Sequence, residues 1–319
     1  MVNSKIIKAY IESSKPRVVL LMIFTSFIGM LLANPLSINL KVLILGNLGI
    51  AMMSLSAGSI NQLLDQRIDR IMSRTKGRPL PAGILTTKNV VIYSLLMSVI
   101  GFFILFYYIN ILTAWLTFGS LIGYAFIYTL YLKRSTPQNI VIGGAAGATP
   151  PLLGWTAMTG QIDMIAVILF LIIFTWTPPH FWALALHRKD EYFAAKIPML
   201  PVTHGEQYTR VHITLYTLML TIVSFLPFII KFSSYFYLAG ALFLNSVFLY
   251  YVIKMQLAKN NNLANVIFNY SILYLSALFG FLIDIGFSIG DIAVVSGVYI
   301  FVSLTLLFLI RKKLNPVII

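Results

Sequence analysis

The sequence predicts an all-α, polytopic membrane bundle of nine to ten transmembrane helices with its N-terminus cytoplasmic. Three observations lead there. Of 319 residues, 59% are hydrophobic and 10% charged, and the mean hydropathy is +0.89. The apolar residues gather in runs near twenty, the length that crosses a bilayer as a helix with every backbone group satisfied inside its own segment. Lys and Arg cluster in alternate connections, as membrane topology requires. The strand alternation of a membrane barrel is absent.

In chain order the runs lie at about 18–33, 42–60, 90–109, 111–132, 139–158, 164–186, 211–230, 234–253, 264–283 and 292–310. They read as one domain over 1–319, with a core at about 13–284 and an extra C-terminal helix. With the N-terminus inside, 21 of the 23 basic residues fall on the inner side, and only Lys41 and Lys231 fall outside. The net charge of +14 is therefore a topological signal; its scatter among loops argues against nucleic-acid binding. Lys5, Lys8 and Glu12 precede the first run without a small-residue cleavage site, so the N-terminus reads as retained. With no Cys, thiolate nucleophiles, disulfides and sulfur-ligated zinc are excluded.

Five of the nine acids sit in two long inner loops, at about 61–89 and 187–210. In the first, Asn61, Asp65 and Asp69 are spaced i, i+4, i+8, so on a helix each step turns by about 40° and rises by about 6 Å, forming one stripe. Carboxylates at the end of an apolar helix call for a polar cavity or a cation, and an all-oxygen set suits Mg²⁺ bridging to phosphate. Arg67, Arg70, Arg74, Lys76 and Arg78 supply donors for such a phosphate. The plainer reading is a solvated helix end whose Asp and Arg residues pair with one another and with anionic headgroups.

In the second loop, His187 and Glu191 share a helical spacing, Asp190 adjoins Glu191, and Pro198 and Pro201 end the helix and stiffen the loop after it. These acids are either a second metal position or an ordinary charged connector. His180, behind Pro178 and Pro179, is either a ligand or a buried imidazole bonded to a carbonyl that the prolines free. The small-residue run Gly143–Trp155 reads first as close helix packing, and otherwise as room for a flat or isoprenoid substrate.

Taken together, Asn61, Asp65, Asp69, Arg74, Thr75, Arg78, Pro79, Leu80 and Gly83 resemble the first aspartate-rich motif of the UbiA-type intramembrane prenyltransferases. The stretches YTLYLKRSTPQNIVIGGAAGATPPLLGW, TPPHFWALAL and EYFAAKIPMLPV, with Lys15, Pro16 and Arg17, are similar more narrowly to the protoheme IX farnesyltransferases, over roughly residues 13–284. The resemblance implies transfer of farnesyl from farnesyl diphosphate to a vinyl group of heme b, with water added, giving heme O. It implies Mg²⁺ on Asn61, Asp65 and Asp69, with Glu191 and Asp190 as further metal-binding acids. Asp65, Asp69, Glu191 and Lys133 would be catalytic. Arg74, Arg78 and Arg134 would meet the diphosphate, and Tyr128 and His180 would complete the substrate contacts. Implied partners are the lipid bilayer and a downstream heme A synthase; the implied location is the cell membrane, with active-site loops on the cytoplasmic side. The second loop departs from the DxxxD common in UbiA-type enzymes, which leaves a single-metal arrangement open. A UbiA-type enzyme for a quinone precursor or lipid acceptor is the alternative, and a transporter is disfavoured by the lack of clear internal repeats.

Overall fold

The computed structural model describes residues 4–35, 37–73 and 75–284. The expected helix at 292–310 and Arg74 lie outside the described residues. Everything regular among those residues is helical. In chain order the α-helices are α1 (Ser4–Ser13), α2 (Pro16–Ala33), α3 (Leu40–Leu64), α4 (Gln66–Ile71), α5 (Thr87–Tyr108) and α6 (Ile111–Ile122). A π-helix (Gly123–Leu132) and the single turn α7 (Lys133–Ser135) continue α6. Then come α8 (Asn139–Ala148), α9 (Pro150–Thr159), α10 (Met164–His187), α11 (Lys189–Ala194), α12 (Leu200–Thr203), α13 (Gly205–Ile229), α14 (Tyr235–Ala258) and α15 (Ala264–Phe281).

Among the described residues eight segments are long and apolar enough to cross a membrane, and the chain is a multi-pass membrane protein. Polar caps start several of them: Asn39, Thr86, Asn110 and Ser234 each accept a hydrogen bond from a backbone N–H in the first turn. Large apolar side chains such as Leu95, Tyr107, Ile222 and Phe243 stand outward, as lipid-facing helices require.

The run at 139–158 is broken at Pro150 and Pro151, as the two prolines lead one to expect. Pro150 and Pro151 carry no N–H, so the hydrogen-bond ladder breaks between α8 and α9, although Thr149 keeps helical angles of φ −68° and ψ −28°. The small residues there work in packing. A Cβ on Gly154 would lie 2.0 Å from the Ser26 carbonyl oxygen, and one on Gly29 would lie 2.2 Å from that of Pro151, so α2 and α9 touch backbone to backbone. Trp155 on α9 joins a large core built on α10 and α13–α15, while Leu153 and Ala157 join a second core with α3, α5 and α6. Between α13, α14 and α15, buried Asn245 accepts from Thr221 and Tyr274 and donates to Ser224 and Ala241, satisfying its amide inside the apolar bundle.

Candidate active site

The first acidic stripe forms because the helix does not stop at the end of its apolar run. Asp65 interrupts α3 and α4 only locally: its N–H reaches Asn61 O at 3.0 Å, and Asp69 N–H reaches Asp65 O at 2.8 Å. The two i, i+4 bonds keep Asn61, Asp65 and Asp69 on one face, at 2%, 1% and 3% exposure. Three anions or dipoles so deeply buried need partners.

Each finds one. Lys133 Nζ lies 2.5 Å from Asp65 Oδ2. Arg78 Nη1 lies 2.7 Å from Asp69 Oδ2. Lys15 Nζ donates to Asn61 Oδ1 and, at 3.1 Å, to the Tyr124 hydroxyl. Arg78 arrives through the loop after α4: Thr75 Oγ1 donates to Asp69 O, Arg78 N–H to Thr75 O, and buried Leu80 and Leu85 pin the far side against Ala9 and Val90. The pairing of Asp with Arg within the loop is what the plainer sequence reading expected, but it is buried, whereas Arg67, Arg70 and Lys76 are exposed. Arg134 bonds the Leu64 carbonyl, closing the end of α3, and does not reach an acid.

Aromatic rings complete one wall. Tyr128 stacks on Tyr124 with ring centroids 5.5 Å apart. A Cβ on Gly143 would lie 2.1 Å from the Tyr128 ring, so the glycine is a seat for that ring.

The second loop is less like its expectation. Arg188 turns the backbone to φ −122°, ψ 30° between α10 and α11, while its N–H still reaches Leu184 O at 3.0 Å and Tyr192 N–H reaches Arg188 O at 3.2 Å. Glu191 is half-buried and held by Arg188 at 2.6 Å; Asp190 and His187 are exposed. Pro201 opens α12 rather than ending a helix. Lys189 pairs with Glu206 at 2.9 Å, and Asn261 donates to the other oxygen of Glu206, tying this loop to α13 and the α14–α15 turn. Among the described residues no three His, Asp or Glu side chains gather into a metal-binding group. Two buried carboxylate oxygens nevertheless have no hydrogen-bond partner, Asp65 Oδ1 and Glu191 Oε2. An orphaned buried carboxylate oxygen suits a cation, so the residues fit Mg²⁺, most clearly at Asp65.

His180 lies within α10 and packs against α15. Its ring is sandwiched by Trp176 at 4.2 Å and Phe268 at 4.5 Å. Ser271 Oγ lies 2.6 Å from His180 Nδ1 and 2.7 Å from Phe268 O, joining the imidazole to the backbone of α15. The partner of Nδ1 is a hydroxyl on α15.

The model of the UbiA prenyltransferase family matches residues 22–278. This chain belongs to that family. Among its UbiA relatives, a protoheme IX farnesyltransferase from Marinobacter nauticus is 55% identical over 270 residues, 85% of this chain and 89% of the relative. Another of that name from Nitrosospira multiformis is 50% identical over 277 residues, 87% and 93% of the two chains. The UbiA fold is seen in a solved digeranylgeranylglyceryl phosphate synthase, with a TM-score of 0.74, 20% identity and coverage of 88% of this chain and 100% of that one. A UbiA homologue from Archaeoglobus fulgidus bound to DMAPP and Mg²⁺ gives a TM-score of 0.58 at 15% identity, covering 86% of this chain and 99% of that one.

Two residues of this buried cluster were not assigned from sequence. Lys15 was visible only as part of a Lys-Pro-Arg triplet; it sits at φ 54° just before α2, and that left-handed kink ends α1 so that its ammonium reaches Asn61. Tyr124 lacked any signal separating it from the other interfacial tyrosines.

Proposed function

We propose that this UbiA prenyltransferase moves the farnesyl group of farnesyl diphosphate to a vinyl group of heme b, with addition of water, yielding heme O and diphosphate. The observation that carries the reading is the 55% identity, over most of both chains, to a relative named protoheme IX farnesyltransferase. The buried cluster of acids and cations supplies the chemistry that such a transfer needs.

Asn61, Asp65 and Asp69 would hold Mg²⁺, with Glu191 and the exposed Asp190 as the second acidic contribution. Mg²⁺ would supply charge that holds the diphosphate and stabilises it as a leaving group. The cations that neutralise the stripe are also those placed for the diphosphate: Lys15, Arg78 and Lys133 are donors pre-positioned in a buried site, where their attraction for developing negative charge is strong. Arg78 brings a planar fork suited to two phosphate oxygens. Arg134 acts by closing α3 beneath them, and Arg74, four positions before Arg78 in the sequence, would be a further donor for the diphosphate.

The farnesyl carbon–oxygen bond breaks and its electron pair leaves with diphosphate. The vinyl π bond attacks the allylic carbon. Water adds to the new cation beside the porphyrin ring and gives up a proton. The stacked Tyr124 and Tyr128 offer π faces next to these charges. His180, with its Nδ1 held by Ser271 and its ring by Trp176 and Phe268, presents a fixed imidazole to heme. The enzyme lies in the cell membrane with N-terminus and site cytoplasmic, a reading supported by 21 of 23 basic residues on that side. A heme A synthase would consume the product.

Membranes holding the enzyme, incubated with heme b, farnesyl diphosphate and Mg²⁺, should yield heme carrying a farnesyl group plus water by mass. Unchanged heme overturns the proposal, and product persisting in both Asp65→Ala and Asp69→Ala removes the metal-site assignment.

A further inference from the structure

The π-helix Gly123–Leu132 decides which way a run of functional side chains faces. A π-helix bonds i→i+5 and so takes about 4.4 residues per turn, against 3.6 in an α-helix. The wider turn is visible at its end, where Lys133 N–H reaches Tyr128 O. In an α-helix Thr129 would stand about 140° from Tyr124, and Lys133 about 180° from it. In the π form the offsets shrink to about 50° and about 15°, so all three face the acidic stripe. Tyr124 then meets Lys15, Lys133 meets Asp65, and Thr129 meets Asn61.

The last contact has a direction. Thr129, fully buried, donates its only hydroxyl proton to Tyr124 O at 2.8 Å. Its oxygen can then only accept, and it accepts from Asn61 Nδ2 at 2.9 Å. With Nδ2 committed, Asn61 Oδ1 is turned to the opposite side, where it meets the Lys15 ammonium. The amide is thereby fixed with its oxygen toward cations. Without the Thr129 hydroxyl, a half-turn of the amide about χ2 would present Nδ2, a donor, to the same place.

We infer that Thr129 is a positioning residue: its hydroxyl, carried onto Asn61 by the π-helix, sets the orientation in which the Asn61 amide meets the metal and diphosphate. The inference rests on the function proposed above. Thr129→Val keeps the branched shape and removes the hydroxyl; Thr129→Ser keeps the hydroxyl. Thr117→Val, at another buried threonine whose hydroxyl bonds only the Thr113 carbonyl of its own helix, is the control.

Binding of the unreactive farnesyl S-thiolodiphosphate to the purified full chain is titrated with and without Mg²⁺, alongside unfolding midpoints. Thr129→Val should lose Mg²⁺-dependent affinity roughly five- to tenfold, the scale of one misplaced polar contact, while Mg²⁺-independent binding stays unchanged. Thr129→Ser and Thr117→Val should bind as wild type. Thr129→Val within twofold of wild type overturns the inference. Equal losses in Thr129→Val and Thr129→Ser, or in the Thr117→Val control, also overturn it, since either assigns the effect to shape or stability. If wild type forms no heme O, the proposed function fails; if wild type is active and Thr129→Val binds normally, only this inference does.

Discussion

Removing the Lys133 ammonium should destabilise the protein more than removing the whole Lys133–Asp65 pair. At 2.5 Å and an effective dielectric near 20, the gross attraction is roughly 6–7 kcal/mol, against which stands the cost of taking both charges out of water. The side chains are 14% and 2% exposed, so solvent screens the pair only weakly. In Lys133→Met the Asp65 carboxylate stays buried with Oδ1 already unpartnered and Oδ2 newly so, a loss of about 3–5 kcal/mol. Asp65→Asn/Lys133→Met buries no charge and should recover most of it.

The measurement is thermal unfolding in detergent micelles, where Lys133→Met should unfold roughly 5–15 °C below wild type and the double variant much nearer to it. Added Mg²⁺ should raise the midpoint of Lys133→Met more than that of wild type, because a cation at Asp65 replaces the lost ammonium. A Lys133→Met protein as stable as the double variant, and equally indifferent to Mg²⁺, would show that Asp65 is not an unpaired buried anion once Lys133 is gone. The electrostatic account of the site would then be wrong.

Gly143→Ala should lower kcat and cost about 1–3 kcal/mol of stability, because its Cβ would overlap the Tyr128 ring at 2.1 Å; a fully active, equally stable variant refutes the seat. His180→Gln should raise the KM for heme several-fold without changing that for farnesyl diphosphate, since His180 is held by Trp176, Phe268 and Ser271 as a fixed imidazole; parallel changes in both constants, read from initial rates, would contradict that role.

Much of this site was legible in local spacing. The Asn61, Asp65, Asp69 stripe follows from i, i+4 geometry alone, and the hydrogen bonds through Asp65 preserve it. The second loop was less legible. His187 and Glu191 carry the same spacing, yet His187 is exposed while Glu191 is half-buried and held by Arg188, and nothing in the residue pattern marks that difference. The packing reading of the small-residue run holds for Gly143, Gly144 and Gly154, where a Cβ would strike Tyr128, Thr177 and Ser26.

By itself, the sequence determined the membrane class, the apolar spans and the acidic stripe, because each depends on hydropathy over about twenty residues or on one helical period. Tertiary structure alone decided which cation meets which anion. Lys133 reaches Asp65 across 68 positions and Lys15 reaches Asn61 across 46, and both contacts depend on how separate helices pack. It also decided the π-helix that turns Lys133 and Thr129 inward: apolar residues fill that segment all round, so no periodicity distinguishes 4.4 residues per turn from 3.6, at about 80° and 100° per residue.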